Sequence, residues 1–351
     1  MHTMNRRRIL RAGALGIAVA SVAAVLAGAP SAASPPPPAA AEVGGAASRV
    51  MEVAGKAGGA LGPEWGGFAG DPVSFEVNAR TVDPLNPTGT FHVVHRKPDG
   101  QLLAEFSGKV TSLYAVDEVA TLTGVIEQAD HPGLPLEMVG QKIALTVYDS
   151  GRPRGSAPRT PDRIGWVWGF FGAPVNRVQG TAPHFTVNWG DFRVETGPAQ
   201  RSSAAQVNVK SNAAGSQIHA VLGGTSKSPP FVGDPSRFAL AARIAPGDDA
   251  LQVKGGFHVT HHKPDGQVVA DFQGRITCLA VGGPVAVATG IVTKSPTAPQ
   301  LVGKPVSFSL KDGHTDRLGW LWGFTPTDEP ITDCQSITPF YAPDWGGLTV
   351  R

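Results

Sequence analysis

Apolar and polar side chains alternate over residues 91–95, the period of two that turns one face of a strand into a core. Lys97-Pro98-Asp99-Gly100 then supplies a turn, proline presetting φ and glycine closing it, and residues 101–106 run back, so the stretch predicts a hairpin. The same reading predicts further strands at 74–80, 109–114, 120–127, 142–148, 165–170 and 190–194. Short strands separated by turn signals predict an all-β fold, an antiparallel β-barrel or β-sandwich, and the pattern does not choose between the two.

The pattern occurs twice. Residues 91–111 (FHVVHRKPDGQLLAEFSGKVT) and 257–277 (FHVTHHKPDGQVVADFQGRIT) are identical at 13 of 21 positions, at an offset of 166. DRIGWVWGF at 162–170 pairs with DRLGWLWGF at 316–324, and the Trp189 and Trp345 segments match downstream. A unit of about 120 residues is a domain and not a solenoid module. The expected organisation is a leader at 1–33, a Pro/Ala/Gly-rich spacer at 34–62, repeat 1 at 63–196, a linker at 197–226 and repeat 2 at 227–351. Gly and Pro make up 75 of the 351 residues, which excludes a helical bundle and falls short of a collagen.

The formal charge of +2 is misleading as a whole-chain figure. Residues 1–33 hold Arg6, Arg7, Arg8 and Arg11 and no acid, and without them 26 basic side chains face 28 acidic ones, a net −2. That balance offers no basic stripe for nucleic acid. Asn5-Arg6-Arg7-Arg8-Ile9-Leu10-Arg11, the apolar run at 12–29 and the small residues Ser31-Ala32-Ala33 resemble a twin-arginine export signal. The prolines at 35–38 favour a cleaved leader over a permanent membrane span. The expectation is a secreted protein, with the twin-arginine machinery and a signal peptidase as processing partners.

The leader, the FHVxHxKPDG hairpin and the DRLGWxWGF strand together resemble a family of secreted actinobacterial β-domain proteins loosely labelled repetin-like. The resemblance spans both repeats and implies a secreted β protein without an assigned activity. It carries no catalytic residues over to this chain.

Cys278 and Cys334 both lie in repeat 2, and their counterparts in repeat 1 are Ser112 and about Val178. Joint presence in one copy and joint absence from the other suit the two ends of a disulfide, which an oxidising exterior permits; two buried thiols are the rival reading.

Candidate chemistry is sparse. His92, His95, His258, His261 and His262 are dense, but residues three apart on a strand face opposite ways, so they predict polar bridges on a half-exposed sheet and no metal site. Trp166 and Trp168 share a strand face with Phe170, as Trp320 and Trp322 do with Phe324, and Trp189 and Trp345 add a third tryptophan per unit. These six tryptophans are either core aromatics or a platform on which sugar rings or apolar ligands stack. Carboxylates with counterparts in both copies are Asp71/Asp234, Asp99/Asp265, Glu105/Asp271, Asp149/Asp312 and Asp162/Asp316, and their spacing selects no glycosidase pair. The 162–163 and 316–317 Asp-Arg pairs suggest ion-paired loop caps, and the 151–161 loop carries Arg152, Arg154 and Arg159. No nucleophile elbow, zinc helix, phosphate loop or cofactor motif is present. The expectation is a non-catalytic binding or structural protein contacting cell wall or another extracellular polymer through aromatic residues. A hydrolase with a dispersed site and a carrier of small apolar ligands are the alternatives.

Overall fold

The computed structural model describes residues 49–132, 134–151, 160–197, 215–227, 230–325 and 329–351. The expected leader and the three loop arginines at 152, 154 and 159 lie outside them. Repeat 1 contains β1 (Met51–Ala60), β2 (Pro72–Thr81), β3 (Thr88–Arg96), β4 (Leu102–Val116), β5 (Val119–Asp130), β6 (Lys142–Tyr148), β7 (Arg163–Trp168), β8 (Phe185–Thr186) and β9 (Trp189–Thr196). They form one antiparallel sheet in the order β8-β7-β6-β5-β4-β3-β2-β1-β9. Repeat 2 contains β10 (Ser216–Thr225), β11 (Pro235–Ile244), β12 (Lys254–His262), β13 (Val268–Gly282), β14 (Val285–Lys294), β15 (Pro305–Lys311), β16 (Arg317–Trp322) and β17 (Trp345–Val350), in the order β16-β15-β14-β13-β12-β11-β10-β17. Each sheet is a meander with its last strand laid beside its first.

Two expectations about boundaries are corrected. Residues 51–60 fell in the expected spacer and 216–225 in the expected linker, yet they form β1 and β10, each hydrogen-bonded on both sides. Their small residues mimic linker composition for a packing reason. A Cβ on Gly58 would meet the Val73 carbonyl at 2.2 Å and the Trp189 ring at 2.7 Å, and Gly223 stands the same way against Ser236 and Trp345. The expected strands at 101–106 and 109–114 are likewise one strand, β4, bent by register shifts at Ser107/Gly108 and Val110/Ser112.

Each sheet curls around one core. On β2, Val73, Phe75, Val77 and Ala79 point inward while Pro72, Glu76, Asn78 and Arg80 are exposed, the alternation of a strand wet on one face. Phe91 fills the centre by lying over Gly108 of the adjacent β4 and Gly124 of β5 beyond it, where a Cβ would meet its ring at 2.9 and 2.5 Å; Phe257 repeats this over Gly274 and Gly290. The curled edges meet at two carboxylates per repeat. Asp162 Oδ2 accepts from Phe192 N–H at 2.8 Å and Asp149 Oδ2 from Val194 N–H at 3.0 Å, closing β9 onto the ends of β6 and β7. Asp316 and Asp312 do the same for Leu348 and Val350. These side chains satisfy edge N–H groups that would otherwise be left unpaired.

The two barrels meet through equivalent residues. Gly180 and Ser336, matched positions in the two copies, exchange backbone hydrogen bonds of 2.9 and 3.0 Å. Gln335 Nε2 donates to the Pro174 carbonyl at 2.8 Å, and reciprocally Gln179 Nε2 donates to the Pro330 carbonyl at 3.3 Å. Val119 and its counterpart Val285 share a buried cluster with Tyr148. β6 and β15 are buried on both faces; β6 reads as an almost continuous apolar run, whereas β15 alternates and buries Ser307 and Ser309 on its second face.

Candidate functional site

In a meander, alternate connections gather at one end of the barrel. In repeat 1 one end collects residues 61–71, 97–101, 131–141 and 169–172, and there the half-buried aromatics form a ladder. Trp166 and Trp168 alternate with Val167, so their rings stack on one face at 6.0 Å, and Phe170 continues the stack 5.7 Å from Trp168. Trp65, brought in by the 3-10 turn at Pro63–Phe68, extends it on the other side at 5.2 Å from Trp166. Phe75 and Phe106 support the ladder from the core. Repeat 2 builds the same stack, Trp320 to Trp322 at 6.2 Å and Trp322 to Phe324 at 5.7 Å, over Phe238 and Phe272.

Trp189 and Trp345 are not part of either stack. Each is 47% exposed and lies across the glycine of an adjacent strand, Gly58 or Gly223. Four of the six singled-out tryptophans thus come together in pairs, and Trp65 joins them without having been singled out.

The other newcomer is His184. It takes the position of Phe340 in repeat 2 and packs 4.8 Å from Trp166 and 5.8 Å from Trp65. Its Nδ1 lies 3.1 Å from the Ala182 carbonyl, which can only accept, so Nδ1 carries the proton and the buried Nε2 presents a bare lone pair. Burial pushes the imidazole pKa down to about 4, the Arg163 guanidinium adding to the effect and the Ala182 bond opposing it. Setting the two repeats side by side finds His184 at once, as the polar member of a His/Phe pair. In repeat 2 the neighbouring Tyr341 has a buried hydroxyl, and burial pushes its pKa up to about 12.

Four of the five clustered histidines are matched to a carboxylate. His92 Nε2 lies 2.8 Å from Glu105, His95 2.7 Å from Asp71, His258 2.8 Å from Asp271 and His261 2.8 Å from Asp234. Among the described residues no group of three His, Cys, Asp or Glu could hold a metal ion.

The residues of the two Asp-Arg pairs reach different partners. Asp162 and Asp316 bond backbone N–H groups, while Arg163 binds the Pro183 and His184 carbonyls and Arg317 crosses to Asp117 of repeat 1 at 2.8 Å. Burial raises the pKa of Asp149 and of Asp312, against the backbone hydrogen bonds each accepts. Asp99 and Asp265 cap their own turns. All five carboxylate pairs therefore hold backbone or histidine.

Cys278 and Cys334 form a disulfide with Cα atoms 5.3 Å apart. In repeat 1 the same place is held by Ser112 Oγ, which accepts from Val178 N–H at 2.9 Å. Val178 and Cys334 share an unusual left-handed backbone, φ 53° and 55°.

Comparison with known proteins returns no matching family model, no matching curated protein and no matching solved structure.

Proposed function

We propose that this chain is a secreted, non-catalytic binding module that contacts cell wall or another extracellular polymer through its aromatic ends. The observation that carries the reading is duplication of the ladder: Trp166-Trp168-Phe170 and Trp320-Trp322-Phe324 stack alike, half-buried, in both repeats. Stacked, partly exposed rings suit the flat apolar faces of a repetitive ligand. A polymer engaging both ends would gain from effective concentration. The carboxylates favour binding over hydrolysis, because those common to both repeats are bonded to backbone or histidine. Carriage of a small apolar ligand is disfavoured by barrels filled with Phe75, Phe91, Leu122 and Phe308. The leader motif and the disulfide both suit export.

The test is cosedimentation of residues 34–351 with insoluble cell-wall polymer while tryptophan emission is recorded. Pelleting with an emission change, weakened by Trp168→Ala and Trp322→Ala in folded variants, is the expected result. Exposed Phe171, next to the ladder, gives a variant (F171S) that leaves the core intact. A protein that stays in the supernatant with unchanged emission would return the ladders to a purely structural role.

A further inference from the structure

The ladder-bearing ends of the two barrels share a backbone but differ in charge. In repeat 1, residues 127–141 carry Glu127, Asp130 and Glu137 and no lysine or arginine. The equivalent stretch of repeat 2, residues 293–304, carries Lys294 and Lys304 and no acid. The register locates the exchanges. Lys294 faces Gln273 as Gln128 faces Ser107, and the Lys304 carbonyl accepts from Val292 N–H as the Gln141 carbonyl accepts from Ile126 N–H. Both lysines therefore stand where repeat 1 has glutamine.

Three loops make this end one contiguous surface. The 262–268 hairpin lies at its centre. On one side Asp234 bonds His261 at 2.8 Å and Phe231 packs 5.2 Å from the same ring. On the other side Thr297 Oγ1 accepts from Asp271 N–H at 3.0 Å, and Ser295 donates to the Asp271 carbonyl at 3.0 Å. Each loop raises a valine into solvent: Val232 is 61% exposed, Val302 49% and Val268 44%. Around them stand Lys227, Lys263, Lys294 and Lys304, all exposed. Lys227 pairs with Asp344 at 3.2 Å, and among the described residues the other three form no ion pair. Of the nearby carboxylates Asp234 is held by His261 and Asp271 by His258, and Asp265 caps the turn itself. The basic cluster is local, because residues 34–351 as a whole are slightly acidic.

Apolar tips ringed by lysine are the arrangement that a lipid interface accommodates: the tips enter the headgroup boundary and the ammonium groups meet phosphates. We propose that this end of repeat 2 docks peripherally on an anionic bilayer surface. The proposal goes beyond polymer binding and does not depend on it. The contact is made by loops, through Val232, Val268 and Val302 and the lysines around them. Repeat 1 is the internal control, since its equivalent tip, Val139, sits in an acidic loop.

The experiment is vesicle cosedimentation of residues 34–351, which carry every described strand and lack the apolar, arginine-bearing leader. Vesicles of phosphatidylcholine with roughly one-third phosphatidylglycerol should pellet the protein, and pure phosphatidylcholine should not. Binding should collapse between about 0.1 and about 1 M salt, as the screening length falls from about 10 to about 3 Å. K294Q/K304Q, which installs the repeat 1 residues, should weaken binding roughly thirty-fold, about five-fold per lysine. V232S/V302S should weaken it at unchanged salt dependence, and V139S should have no effect. Failure of the anionic vesicles to pellet the protein, or indifference to K294Q/K304Q, would overturn the proposal. Binding that ignores V232S/V302S and is matched by a soluble polyanion would also overturn it, in favour of a charged polymer.

Discussion

His184 gives the sharpest quantitative test of the aromatic end. Its neutral ring donates through Nδ1 to the Ala182 carbonyl, so protonation must place a charge and a new N–H at Nε2, which is buried beside Trp65 and Trp166. With the pKa pushed down to about 4 in the fold, against about 6.5 in the unfolded chain, the unfolded state binds the extra proton first. Stability is therefore whole above pH 6.5 and falls as pH drops through the window between the two values. Linkage puts the loss at about 2 kcal/mol by pH 5 and about 3 kcal/mol by pH 4. The perturbation is His184→Phe, the residue that repeat 2 places against Trp320 at 4.7 Å. The assay is urea unfolding followed by far-UV ellipticity, for both proteins, from pH 7.5 to pH 4. The raised carboxyls of Asp149 and Asp312 act in the opposite direction, but they act in both proteins and cancel in the difference. The variant should gain on the wild type steadily below pH 6.5. Parallel profiles down to pH 4 would refute the reasoning, because they would mean that His184 titrates alike in the folded and unfolded chain.

Two further perturbations probe the frame. Asp162→Ala strips acceptors from Phe192 N–H, Ser150 N–H and the Ser150 hydroxyl, a cost of about 3 kcal/mol that should appear as a lower melting temperature, whereas the exposed Asp99→Ala should cost less than about 1 kcal/mol; equal melting shifts would count against the carboxylate closure. S112C/V178C should oxidise spontaneously to a second disulfide, since Val178 already has the backbone of Cys334 and lies against Ser112 as Cys334 lies against Cys278, and persistence of two titratable thiols after folding in air would show that the two copies differ there.

Much of the architecture is legible in the sequence because it rests on local chemistry written twice. The KPDG hairpin, the alternating strands and the tryptophan ladders each depend on residues within a few positions of one another, and the duplication doubles every signal. The disulfide follows the same logic, both cysteines being present in one copy and absent from the other. What stays illegible depends on contacts between distant segments. β1 and β10 look like linkers because Trp189 and Trp345, more than 120 positions away in each copy, demand glycine beneath them. Asp149 and Asp162 look like surface acids because their partners, the N–H groups of β9, bear no side-chain signature. Trp65 escapes notice because nothing near it in sequence announces that a 3-10 turn will lay it on Trp166.

The contact between the repeats explains how one fold can carry two different ends. Where each residue meets its own counterpart or a reciprocal partner, at Val119/Val285, Gly180/Ser336 and the two Gln–Pro bonds, the surface is self-complementary in the way of an isologous dimer. In a true homodimer every flank would have to be identical too. Here the chain is continuous, and the flanks differ: Arg317 and Lys311 pair with Asp117 and Glu118 on one side, while on the other Arg163 lies over Gly283 and Tyr148 over Val285. Covalent linkage removes the requirement that both copies keep the same residue at every position, so the acidic loop of repeat 1 and the basic loop of repeat 2 coexist on one frame. The same freedom accounts for His184 opposite Phe340 and for a disulfide in one barrel where the other has a single hydrogen bond. Identity is retained at Val119/Val285, Gln179/Gln335 and Pro174/Pro330, while Gly180/Ser336, the flanks of the contact and the outward ends carry the chemical differences.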